Sequence, residues 1–174
     1  IMLSTVVTVF LTERIEPDGI YTKALRREGI HIQQGRDVDV MQSVMVREVM
    51  HTPAPVISPS RTLVELRNAL RRHQTKALCV IEDRHNKQIL VGIVALSDLQ
   101  NAYERINQGK ENRTLTVANI MSKDVITITP NEPVFVAIKR MGQSDIGHLP
   151  VVAADNEKQL VGFLTRTDVM RSYN

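Results

Sequence analysis

The stretch Leu160-Val161-Gly162-Phe163-Leu164-Thr165-Arg166-Thr167-Asp168-Val169 decides how this chain is read, because Leu90-Val91-Gly92-Ile93-Val94-Ala95-Leu96-Ser97-Asp98-Leu99 repeats its pattern. Each predicts a short apolar strand, a glycine that admits close backbone approach, and a hydroxyl residue with an aspartate at the start of a helix. The repetition extends upstream. Val46-Arg47-Glu48-Val49-Met50 matches Val117-Ala118-Asn119-Ile120-Met121, and Ser58-Pro59 matches Thr129-Pro130, both at a separation of 71 residues (50 to 121, 59 to 130). Asp98 and Asp168 are 70 apart, so one residue is lost from the polar stretch 153–159 relative to 82–89, where a loop absorbs the deletion. Two copies predict a pair, not a solenoid array.

The 174 residues suit two small units sharing one core, since a lone copy of about 60 residues buries little of its surface. The cleft between the copies is then the natural ligand site. A formal charge of +3 invites a nucleic-acid reading, but 22 basic residues are interspersed with 19 acidic ones and aromatics are only 3%, so no stacking platform exists. Arg71-Arg72-His73 follows Leu63, Leu66 and Leu70 on one helix and reads as its solvated end. No nucleic-acid partner is expected. The single cysteine, Cys79, sits in the apolar run 77–81, where a thiol behaves as a small hydrophobe; this fits a reducing compartment and excludes a cysteine-rich metal site. His31, His51, His73, His85 and His148 show no ligand spacing, so no metal is expected. His148 either contacts a phosphate or stands on the exposed face of a strand edge, the second reading being preferred. Without an activated nucleophile, a Walker-type loop or a carboxylate pair, the chain reads as non-catalytic.

Taken in order, residues 1–45 open with the uncharged apolar run 1–11, which is shorter than the roughly 20 residues of a spanning helix. It reads as a buried amphipathic segment or as the tail of a membrane helix, and the opening at isoleucine favours the tail. Asp18 is placed to cap a helix that ends at Gly29. The first copy, 46–109, has a strand at Val56-Ile57 and a capping box, Thr62-Leu63-Val64-Glu65, opening a helix to about His73. Strands at 77–81 and 89–94 follow, then a helix capped by Ser97 and ending near Gly109. After a polar linker, 110–116, the second copy, 117–174, repeats the order: a strand at 125–128, a helix capped by Asn131 with Val134, Ile138 and Met141 on one face, strands at 149–153 and 160–164, and a final helix capped by Thr167. The fold class is α/β (α+β), two pseudo-symmetric β-α-β-β-α units packed sheet to sheet.

A duplicated unit closing with glycine, an apolar pair, Ser/Thr, two residues and Asp resembles the CBS domain family, and the tandem resembles a Bateman module. Ile146-Gly147-His148-Leu149-Pro150-Val151-Val152 is similar to the family's middle strand. The first copy departs at Ala95, where a hydroxyl is expected, and at Cys79, where proline is common. Upstream, Ile20-Tyr21-Thr22-Lys23-Ala24-Leu25-Arg26-Arg27-Glu28-Gly29-Ile30 and Gly35-Arg36-Asp37-Val38-Asp39-Val40 resemble the join between the last membrane helix and the cytoplasmic CBS pair of CLC chloride channels and transporters. That resemblance implies a homodimer, a membrane transport domain in the same chain as partner, a place at the cytoplasmic face of a membrane, and Tyr21 as the tyrosine contacting chloride in the intact protein.

The Bateman resemblance also implies the ligand, an adenine nucleotide (ATP, ADP or AMP). Asp168 would accept hydrogen bonds from both ribose hydroxyls, with Thr165 and Thr167 nearby and Ala54, Pro55, Thr75 and Lys76 across the cleft. Lys76 either meets a phosphate or stays solvated. A weaker second cleft would join Ser97 and Asp98 to Val125, Ile126, Ile146 and Gly147, poorer for lack of a hydroxyl at Ala95. Against this stands a structural role, because an aspartate in a first helical turn stabilises by about 0.3 to 1 kcal/mol through the helix dipole alone. The function implied is nucleotide regulation of chloride transport. The rivals are the regulatory pair of an attached soluble enzyme, such as a nucleotide dehydrogenase, and a structural dimerisation module with empty clefts.

Overall fold

The computed structural model describes residues 44–84, 87–111 and 114–171. The apolar run 1–11, Tyr21 and the CLC-like segments 20–30 and 35–40 lie outside the described residues. The first copy contains α1 (Val46–Val49), β1 (Val56–Ile57), α2 (Leu63–Arg72), β2 (Ala77–Arg84), β3 (Lys87–Ala95) and α3 (Leu96–Asn107). The second contains α4 (Val117–Ile120), α5 (Val134–Gln143), β4 (His148–Ala153), β5 (Asn156–Thr165) and α6 (Arg166–Arg171).

The expected capping box opens α2: the Glu65 amide donates to Thr62 Oγ1 at 3.3 Å and the Thr62 amide to Glu65 Oε2 at 2.8 Å. Its buried stripe is Leu63, Leu66 and Leu70. Four expectations need correction. Ser97 and Thr167 do not cap α3 and α6, which begin at Leu96 and Arg166. Asp98 and Asp168 instead stand third in their helices and reach back to the amides of Ala95 and Thr165, at 2.7 and 2.9 Å. The acid at that position satisfies an amide that the helix itself leaves unpaired. Residues 125–128 form no strand; only Ile128 bridges Val151, its amide donating to Pro150 O at 3.1 Å and its carbonyl accepting from Val152 N at 2.9 Å. Asn131 caps nothing, because Pro133 disfavours helical geometry in the residue before it and α5 starts at Val134. The Asn131 side chain accepts a 2.8 Å hydrogen bond from Arg47 instead.

The five strands run in the order β1-β2-β3-β5-β4. β1 lies parallel to β2, and β2-β3 and β4-β5 are antiparallel hairpins. The two halves join edge to edge at one pair, Ile89 with Gln159. Helices α2 and α3 cover the outer face of the first hairpin through Leu66, Leu70, Leu99 and Ala102 packed on Leu78, Val80 and Val94. The inner faces meet in a third cluster, where Ala77, Cys79, Ile81 and Leu90 pack against Val152, Leu160 and Phe163.

The lobes exchange their leading segments. Val46 of α1 is buried in the second lobe among Ile128, Val134 and Leu164, and Val117 of α4 is buried in the first. The chain after α1 pairs with β5, since His51 N donates to Phe163 O at 2.8 Å and Phe163 N to His51 O at 3.0 Å. Ser122 and Ile93 make the matching pair at 2.9 and 3.0 Å. This crossing explains the repeated glycine. A Cβ on Gly162 would lie 2.7 Å from the Met50 sulfur, and one on Gly92 would lie 2.8 Å from the Met121 sulfur. The sequence copies and the packed lobes are therefore different sets of residues.

Candidate ligand clefts between the lobes

Where the lobes meet, two clefts open, related by the same pseudo-symmetry. The larger, about 810 Å³, lies over the start of α6 and is lined by Pro55, Thr75, Lys76, Thr165, Thr167 and Asp168, six of the seven residues expected there. The seventh, Ala54, packs into the inter-lobe cluster instead. All six residues expected in the second cleft, Ser97, Asp98, Val125, Ile126, Ile146 and Gly147, line one cavity of about 550 Å³ over the start of α3.

Asp168 is the anchor of the larger cleft and is only 6% exposed. Its Oδ2 accepts from the amide and the hydroxyl of Thr165, and its Oδ1 lies 2.7 Å from His51 Nε2. The Thr165 hydroxyl is thus committed to the carboxylate and is no spare donor for a ligand. Asp98 is built more simply, with Oδ2 accepting from the Ala95 amide; the position matching His51 is Ser122.

Several lining residues carried no signal of their own in the sequence. His51 enters because the exchanged segment runs along β5 into the cleft. Arg166, Arg171 and His73 bring further cationic or titratable side chains to the same cleft. Asp145 and Gln74 both adopt left-handed backbone, at φ 50° and 49°, and both line the larger cleft; their 71-residue separation made this pairing findable. His148 is half-buried and lines both clefts, rather than standing on an open strand face, and its ring stacks on Phe163 with centroids 5.8 Å apart. Burial, then the charges of Lys76 and Arg166, push its pKa below the usual histidine value, with Asp168 opposing. A neutral imidazole at that point offers both a donor and an acceptor.

The arrangement matches known proteins closely enough to place it. The sequence model of the CBS domain matches residues 46–105 and 117–174. This chain belongs to the CBS domain family. Its two matched segments form a tandem CBS pair, a Bateman module. Over 131 residues it is 30% identical to an uncharacterized protein of Methanopyrus kandleri, a match covering 75% of this chain and 63% of that one. Over 138 residues it is 33% identical to inosine-5′-monophosphate dehydrogenase of Korarchaeum cryptofilum, covering 79% of this chain and 25% of the enzyme. Among solved structures, the CBS domain pair of protein MJ0100 in complex with 5′-methylthioadenosine and S-adenosyl-L-methionine superposes with a TM-score of 0.62 at 27% identity, covering 75% of this chain and 95% of that one. CBSX2 in complex with AMP gives 0.62 at 25% identity, covering 75% and 96%.

Proposed function

We propose that this CBS pair is a regulatory module that binds an adenine nucleotide in the Asp168 cleft and passes its occupancy to an attached activity. One observation carries the reading. A buried carboxylate suited to ribose hydroxyls, Asp168, shares a cleft with Lys76 from one lobe and Arg166 and Arg171 from the other, placed for phosphate. The AMP complex of CBSX2 and the adenosyl complexes of MJ0100 support this ligand class. The module itself is non-catalytic in this proposal, and a ligand acts only by preferring one arrangement of the lobes over another.

The dehydrogenase relative favours a soluble enzyme as the attached part. The chloride-transport reading, with its membrane domain, membrane location and Tyr21 contact, rests on residues 20–40 alone and draws no support from the relatives described above. We further propose a homodimer, because Val64 and Phe135 hold matching positions on α2 and α5 and are 50% and 37% exposed. Light scattering that gave only monomer at tens of micromolar would overturn it.

Titration of the full chain with AMP, ADP and ATP tests the main proposal. Saturation at about 100 times the dissociation constant should add about 2.7 kcal/mol, a melting rise of roughly 5 to 10 °C. If none of the three binds, or if Asp168→Ala leaves binding intact, the proposal fails.

A further inference from the structure

His148 opens β4 directly opposite Thr165, the last residue of β5, and so stands beside Arg166, the first residue of α6. The Arg166 amide donates to Gly147 O at 2.9 Å and its Nη2 to Ile146 O at 3.3 Å, which holds the guanidinium against the segment that carries the imidazole. Lys76 comes from the other lobe and lines the same cavity. The other charged groups of that cavity are Arg171, Asp145 and Asp168, with His51 and His73 titratable; on the far side of the imidazole stand Asp98 and Asp124. Within the Asp168 cleft three cations (Lys76, Arg166, Arg171) therefore face two carboxylates (Asp145, Asp168), one positive charge in excess. Of its histidines only His148 is partly withdrawn from solvent, His51 and His73 being exposed.

Burial first, then the charges of Lys76 and Arg166, disfavour a proton on this imidazole in the free protein, against the pull of Asp168. Those two cations are the ones that the nucleotide reading gives to the phosphate. A phosphate carries about 1.5 to 2 negative charges near neutral pH, enough to turn the cleft's excess of one positive charge negative. We propose that His148 couples phosphate binding in the Asp168 cleft to uptake of a proton from solvent, the imidazole becoming imidazolium as the phosphate settles on Lys76 and Arg166. This inference rests on the nucleotide reading of that cleft and adds its regulation. The complex then holds the His148 proton more tightly than the free protein does, so affinity for a phosphate-bearing nucleoside rises as the pH falls between the bound and free midpoints and levels off on either side. His51 works in both directions, because a proton on it attracts phosphate but also strengthens its hold on the Asp168 oxygen that a ribose would take. His73, exposed at the end of α2, acts only through charge that solvent and salt screen.

AMP and adenosine differ only in the phosphate and form the test pair, each added at saturation to the full chain. The His148 ring-proton resonance in the NMR spectrum, identified by its contacts with the Phe163 ring, is followed from about pH 8 to 5 and needs no substitution. AMP should move its midpoint upward, and adenosine should not. By calorimetry, AMP affinity should gain at least about threefold between about pH 8 and 6 relative to His148→Asn, in which ionisation of the ligand's own phosphate acts equally. A midpoint that AMP leaves in place or lowers, a rise that adenosine produces equally, or the same pH dependence of AMP affinity in His148→Asn would each overturn the proposal while the nucleotide reading stands. If AMP binds at no pH in that range, the nucleotide reading falls and this inference falls with it.

Discussion

His51 Nε2 sits 2.7 Å from Asp168 Oδ1, joining residues 117 positions apart in the sequence across the mouth of the larger cleft. The two partners are held very differently: the Asp168 side chain is 7% exposed and fixed by Thr165, while the His51 side chain is 56% exposed. A ribose hydroxyl arriving at Oδ1 therefore displaces the imidazole, not the Thr165 amide. A contact with one partner so open to solvent is worth little, so His51→Ala should change AMP affinity by less than about fivefold in either direction. Asp168→Ala should weaken it about 10- to 100-fold through loss of charge-assisted hydrogen bonds. Equal losses from the two substitutions, measured by calorimetry, would show that the imidazole holds the ligand.

The matched glycines should not respond alike to substitution. At Gly92 an added Cβ meets the Ser122 carbonyl oxygen at 2.9 Å, whereas at Gly162 the nearest carbonyl, His51 O, is 3.2 Å away and the main obstacle is the flexible Met50 side chain. Backbone cannot yield as a thioether can. Gly92→Ala should cost about 2 to 3 kcal/mol and Gly162→Ala about 1, read as shifts in the urea midpoint at constant slope. The reverse order would mean that the exchanged segments are less firmly paired than their hydrogen bonds indicate.

Much of this was legible because it is local or repeated. The capping box at Thr62, the buried stripe of α2 and the close-approach glycines follow from spacing alone. The exchange of leading segments was not legible, since an apolar α1 shows only that Val46 is buried, not that its partners are Ile128 and Leu164 in the other copy. Missing it hid His51, whose place in the cleft exists only through that crossing. The caps of α3 and α6 were misplaced because Ser97 and Thr167 are good capping residues locally, and only the reach of the aspartates back to Ala95 and Thr165 decides between registers.

Acid should act on the second lobe in two separate windows. Burial works to raise the pKa of Glu132, but the Thr129 amide and the Arg140 guanidinium, at 2.8 and 2.6 Å, outweigh it and hold the carboxyl below its usual value. With the folded pKa below the unfolded one, its stabilisation is present above about pH 4.3 and is lost as the pH falls through the folded value. Glu132→Gln should flatten the acid limb of stability there. His148 acts higher: its depressed pKa means that the unfolded chain binds the proton more readily, so stability declines as the pH falls below about 6.5. His148→Asn should remove that decline without touching the Glu132 limb. Unchanged profiles in denaturation series from pH 7 to 3 would refute both assignments.

Cys79 reports on separation of the lobes. It is fully buried in the cluster that joins them, and burial pushes its thiol pKa up to about 12. The thiolate is the reactive form, so a disulfide reagent such as DTNB should modify the native protein only through openings that part the inner faces. The Asp168 cleft takes Thr75 and Lys76 from one lobe and Thr165 and Arg166 from the other, so a ligand bound there resists the same opening. In the regime where closing outruns modification, saturating AMP at about 100 times its dissociation constant should slow labelling about 100-fold. A labelling rate that AMP leaves unchanged, in a protein shown to bind it, would mean that Cys79 is exposed by a motion that keeps the cleft intact, and that the ligand does not clamp the two lobes together.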